Sequence, residues 1–130
     1  MCTDHDVDNN TETDDPRSGY KLVSSWPKYP AGMHFEMGSG IAVDEAGIIY
    51  AFTRDIEHWA THPLAMADKM GKSSISMFNR EGEYLGIWGP SGERGFALGG
   101  HTLYIEKDGM FWTTDRDGHT VKKYTPDGEL

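Results

Sequence analysis

The feature that most constrains this chain is that its sequence repeats itself. Laying "GIAVDEAGIIYAFTRD" over the matching part of "HTLYIEKDGMFWTTDRD" at a spacing of 62 residues puts Ile41 on Leu103, Val43 on Ile105, Gly47 on Gly109, Tyr50 on Trp112 and Arg54 on Arg116. Laying "SMFNREGEYL" over "KKYTPDGEL" at a spacing of 46 puts Phe78 on Tyr124, Gly82 on Gly128 and Glu83 on Glu129. The two spacings differ by 16, so the first unit carries an insertion of that size, near residues 55–72. Without it the repeat is about 46 residues with four short strands, the scale of one β-propeller blade.

The strands follow from residue type. "YKLVSSW", "SGIAVD", "IIYAFT", "SSISMF", "EYLGIW", "HTLYIE", "MFWTTD" and "TVKKYT" are rich in β-branched and aromatic residues. Acidic turns ending in Gly47, Gly82, Gly109 and Gly128 separate or follow them. Glycine reaches positive φ without a steric cost, which tight hairpins require. "GIAV" and "MFW" are apolar on both sides, so their sheets have to be covered on both faces. Blades stacked on neighbouring blades meet that demand, whereas an isolated sandwich would show more polar outward positions.

The remaining segments set limits. Residues 1–19 hold six acidic residues against Arg17, with Val7 the one aliphatic side chain, and are expected to be a disordered acidic tail. Residues 20–130 then form the folded unit. "DIEHWATHPLAMADKMGK" replaces β-branched residues with Ala, Met and Leu; it reads as a long insertion, with room for a short helix around Leu64–Met70. The net charge of −9 argues against nucleic acid as a partner. No stretch is apolar enough to cross a membrane or to read as an export signal, and the compartment stays open. The single cysteine, Cys2, excludes an internal disulfide and a Cys-based zinc site.

Together these readings predict an all-β chain, a partial β-propeller of about two four-stranded blades. Closure takes four to eight blades. The ending "DGEL" matches the opening of "EGEYLGIW", so the chain is expected to be part of a longer propeller, or to self-associate to cover its exposed blades.

From about Trp26 onward these residues resemble the NHL-repeat propellers, and more closely the peptidyl-α-hydroxyglycine α-amidating lyases. The marks are Arg54 closing a blade's second strand, His101 opening the next blade's first strand, and the ending Thr114, Asp115, His119, Val121 and Lys123. The resemblance implies a six-bladed ring with a central zinc ion held by three histidines from different blades. It also implies a reaction that splits a peptidyl-α-hydroxyglycine into a peptide amide and glyoxylate. In that pattern His101 is the first zinc ligand and Arg54 an active-site arginine facing substrate. Ile41 and Leu103 are positions whose backbone carbonyls bind a structural calcium. The other two histidines and a catalytic tyrosine fall beyond Leu130, so this chain alone is expected to be inactive.

Read as bare residues, the same positions carry plainer alternatives. A lone histidine at a strand start is commonly a surface or hydrogen-bonding residue. Arg54 fits a salt-bridged rim, and Arg116 stands at the same place in the next repeat. His119 reads as bonding to a turn backbone. His58 and His62 have i, i+4 spacing but lack the zincin glutamate, and Pro63 follows at once. "DHDVDNNTETDD" lacks the glycine and flanking helices of an EF-hand. The alternative function is a non-catalytic NHL propeller that binds a protein or peptide partner.

Overall fold

A computed structural model of the chain describes residues 19–31, 37–54, 73–89 and 99–130. Among these residues seven strands are present: β1 (Met37–Val43), β2 (Ile49–Arg54), β3 (Ser74–Phe78), β4 (Tyr84–Trp88), β5 (Gly100–Ile105), β6 (Phe111–Asp115) and β7 (Thr120–Tyr124). Each falls on a segment the residue pattern predicts. They form two antiparallel meanders, β1-β2-β3-β4 and β5-β6-β7. The described residues are all-β, with no helix. The acidic segment 1–18, the insertion with its candidate helix, and the His58–His62 pair lie outside the described residues.

One predicted strand does not form. "YKLVSSW" makes a turn, with the Trp26 N–H donating to the Val23 carbonyl at 3.3 Å. Just beyond it, Lys28 makes an isolated bridge to Glu83. A strand exists only with a neighbour to bond, and no described segment lies along residues 20–26. Tyr20, Leu22 and Val23 are exposed there.

Four of the turns share one design. In each, the first residue's N–H donates to the carbonyl four residues on, and the glycine N–H donates back to the first residue's carbonyl. The pairs are Asp44–Ile48 with Gly47, Asn79–Glu83 with Gly82, Glu106–Met110 with Gly109, and Thr125–Glu129 with Gly128. The glycine φ values are +83, +81, +84 and +86°. This is a type I turn closed by a left-handed glycine, which suits the twist of the flanking strands. The repeat also extends to side chains. Tyr50 donates to the Asp44 carboxylate at 3.1 Å. Sixty-two residues on, Trp112 Nε1 donates to Glu106 at 2.9 Å.

The two sheets stack face to face around Tyr50, Phe52, Ile75, Trp88, Leu103, Phe111 and Tyr124. Full burial of each large side chain contributes roughly 2–3 kcal/mol. The stack is a wedge. At the β1–β5 end the backbones touch: a Cβ on Gly40 would lie 3.0 Å from the Leu103 nitrogen. At the β4–β7 end aromatic rings fill the gap. Trp88 stacks on Phe111 at 4.0 Å and meets Tyr124 edge-on at 5.8 Å, and its Nε1 donates to the Pro126 carbonyl at 2.7 Å.

Candidate functional site

The site grows from the end of β2. Arg54 is carried there by a strand buried from Tyr50 onward, and it is 6% exposed. Its Nε donates to the carbonyl of Gly100, the first residue of β5 in the other sheet. Burial, and then the nearby Arg116, lower its pKa, while Asp117 and Asp115 oppose the shift. The guanidinium is thus part of the seam between the sheets.

Gly100 is held from three sides. Its carbonyl accepts from Arg54, and its N–H donates to Ser73 Oγ at 2.9 Å. The Phe52 ring lies where a side chain would start: a Cβ here would sit 2.0 Å from Phe52 Cζ. Only glycine fits. Of the two glycines before the histidine, Gly100 is thus clamped in place.

His101 follows as the extra residue of a β-bulge. Gly100 pairs with Asp115 and Thr102 with Thr114, leaving His101 between them. The first sheet carries the same bulge, where Gly38 pairs with Thr53 and Gly40 with Phe52, leaving Ser39. Ser39 Oγ is turned back to the Phe52 carbonyl at 3.2 Å. His101 is exposed, and its Nδ1 lies 3.3 Å from Thr102 Oγ1. Bulges re-aim side chains and recur beside functional sites.

The histidine opens onto a cleft of about 370 Å³, lined also by Thr114, Asp115, Arg116, His119 and Val121. Asp115 shapes this cleft from beneath. Its Oδ1 accepts from the backbone N–H groups of Gly99, Asp117 and Gly118 at 2.9, 3.1 and 2.9 Å. The sequence placed Asp115 in a motif but gave it no role; an Asp two and three residues ahead of Asp-Gly is the signal for such a turn. Arg116 forks onto Asp117, with Nε to Oδ1 at 2.7 Å. Among the described residues the turn bond expected of His119 does not form. Its backbone is left-handed at φ 50° and the residue is exposed.

The remaining candidates lie on neighbouring strands with opposite fates. Leu103 is buried between the sheets, whereas Ile41 is 64% exposed on the far face of the first sheet. Close approach of Gly40 to Leu103 brings their strands side by side. Among the described residues no group of three or more His, Cys, Asp or Glu could hold a metal ion. Among them, too, no helix is long and apolar enough to cross a membrane. No known family model and no curated protein matches this chain.

Proposed function

We propose that the two stacked sheets are consecutive blades of a β-propeller, with β1 and β5 facing its hub, and that the ring is a peptidyl-α-hydroxyglycine lyase-type enzyme. The observation that supports this best is the shared bulge: the same backbone device holds Ser39 in one sheet and an exposed His101 in the next. The wedge-shaped stack supports the ring, because sheets that touch at one edge and stand apart at the other curve around an axis. In this reading Arg54 is a positioning residue. It fixes the Gly100 carbonyl and so the direction in which His101 leaves the strand.

Zinc, when bound, supplies an electrophile that polarises the substrate's hydroxyl or carboxylate. The described residues of one chain do not by themselves fit it, since His101 is a single donor and three are needed. The activity belongs to a closed ring, and calcium at the Ile41 and Leu103 carbonyls remains part of the same proposal. The test is glyoxylate release from an α-hydroxyglycyl peptide, with and without a chelator, by the native protein and by His101→Ala. Release that is zinc-dependent and lost in the variant supports the lyase.

One observation favours a second reading. Arg54, expected to face substrate, is engaged in the seam. A propeller that binds a peptide without cleaving it needs no arginine at the hub. Peptide binding without glyoxylate release decides for that reading.

A further inference from the structure

The repeat predicts more than two stacked sheets. The face of the first sheet that meets the second carries Ala42, Tyr50, Phe52, Ile75, Met77 and Trp88. By the 62- and 46-residue spacings, its counterparts on the second sheet are Tyr104, Trp112, Thr114, Val121 and Lys123. The pairings Tyr104 with Trp112, Trp112 with Lys123, and Thr114 with Val121 place these on one face, the one turned away from the first sheet. Tyr104 is 60% and Val121 66% exposed. This face is built like one that already forms an interface.

Its complement is also present. Leu103 and Ile105, which receive the first sheet, correspond to Ile41 and Val43, which are 64% and 58% exposed on the back of the first sheet. Beside them lies a cleft of about 480 Å³ lined by Trp26, Pro27, Gly38, Ser39, Gly40 and Ala51. Gly38 corresponds to Gly100, whose flank is filled by the Phe52 ring. The filled slot and the open slot are the same slot in two repeats. Bulk is exchanged across the pair: Tyr104 and Trp112 exceed Ala42 and Tyr50, while Val43 and Ile49 are smaller than Ile105 and Phe111.

The segment before β1 completes the pattern. Trp26 stands 62 residues before Trp88, and Phe78 stands 46 before Tyr124. Trp26 rests on Phe78 at 5.6 Å, as Trp88 rests on Tyr124 at 5.8 Å. Residues 22–26 therefore hold the place, relative to the first sheet, that β4 holds relative to the second. β4 bonds to β3, and the strand equivalent to β3 in the second sheet is β7. Among the described residues β7 has no neighbour beyond β6.

We infer that this chain associates head to tail. The outer face of β5-β6-β7 docks on the back of the first sheet of a second copy, and that copy's residues 20–26 add to the edge of β7 as its fourth strand. Arg116 of one copy takes toward Gly38 of the next the place that Arg54 takes toward Gly100. Thr102 stands where Gly40 does, so the copies approach less closely at the hub than the two sheets do. Such an interface is heterologous: it closes into a ring or propagates as a filament.

The inference rests on the propeller reading, and sedimentation of the full chain over micromolar to near-millimolar concentration tests it separately. Assembly that grows with concentration is expected. Val121→Asp on the outer face, Ile41→Asp on the back face and Val23→Pro in the added strand each weaken it at least tenfold, with unchanged urea unfolding, because all three residues are exposed. Mixing Val121→Asp with Ile41→Asp restores a one-to-one pair, since each retains the face the other has lost. A concentration-independent monomer overturns the docking and leaves the stacking of the two sheets intact. So does a mixture that fails to pair while each variant is folded, or assembly unchanged in all three variants.

Discussion

Arg54 and Gly100 are joined across the seam of the two sheets, the arginine Nε donating to the glycine carbonyl beside the bulged histidine. Breaking this bond leaves a buried carbonyl without its charged donor and opens a void. Arg54→Ala is expected to lower the unfolding free energy by about 2–4 kcal/mol. Arg54→Lys recovers part of that, because one ammonium cannot reproduce the planar donor fork. Urea unfolding measures both. A variant as stable as the native chain would remove Arg54 from the seam and return it to the substrate-facing role that the family resemblance implies.

Gly100 makes the same point from the opposite direction. A methyl group there would overlap the Phe52 ring, with the nearest ring atom 2.0 Å away. Overpacking of this kind costs about 1–3 kcal/mol, more where the backbone cannot shift. Gly100 is clamped at both its N–H and its carbonyl, so Gly100→Ala falls at or above the top of that range. Phe52→Val removes the obstructing ring and costs stability alone. The double variant is expected to lose less than the two single losses added, a coupling that a double-mutant cycle reads directly. Simple additivity would show that the two residues do not press on one another.

These relationships mark where the sequence stops being legible. The seven strands and four turns could be read because each is local: β-rich runs and a glycine at a fixed place decide them. "YKLVSSW" has the same composition and forms no strand, because a strand needs a neighbour and composition does not supply one. The bulge at His101 was hidden in "GGHTL", where the glycines suggest close approach but not an extra residue. The destination of Arg54 was invisible for another reason. A long side chain at a strand end can face a hub, a rim salt bridge or the next sheet, and only the stacking selects among them. Asp115 stood in a motif with no role assigned, because nothing in the residue pattern says that its carboxylate fastens three backbone N–H groups.

Tyr50 gives the fold an alkaline limit. Burial, and then the Asp44 carboxylate it bonds, push its pKa from 10.0 up to about 12. The folded state keeps the phenol protonated while the unfolded chain releases the proton near pH 10. Stability is therefore level below pH 10, falls from there to about pH 12, and loses up to roughly 2 kcal/mol on this account. Tyr50→Phe is expected to be less stable at neutral pH but to show a shallower fall. Some slope survives, because burial also raises Tyr124. Urea midpoints between pH 8 and pH 12 test this, and equal slopes in the two proteins would exclude Tyr50 as the cause.

His101 separates the site from the scaffold. It is exposed and, among the described residues, its hydrogen-bonding contact is the Thr102 hydroxyl at 3.3 Å, so His101→Ala should change stability by less than about 0.5 kcal/mol. If the imidazole is a zinc ligand at the hub of a ring, the same change removes the metal. Three donors from three blades hold zinc only when the blades are assembled, because a single imidazole binds weakly. Zinc content after chelation and re-addition is therefore expected to track the assembled species and to be near zero in His101→Ala. His119→Ala, at the rim of the same cleft, should keep its zinc. Native zinc content in the His101 variant would show that the bulge presents this side chain to something other than a metal.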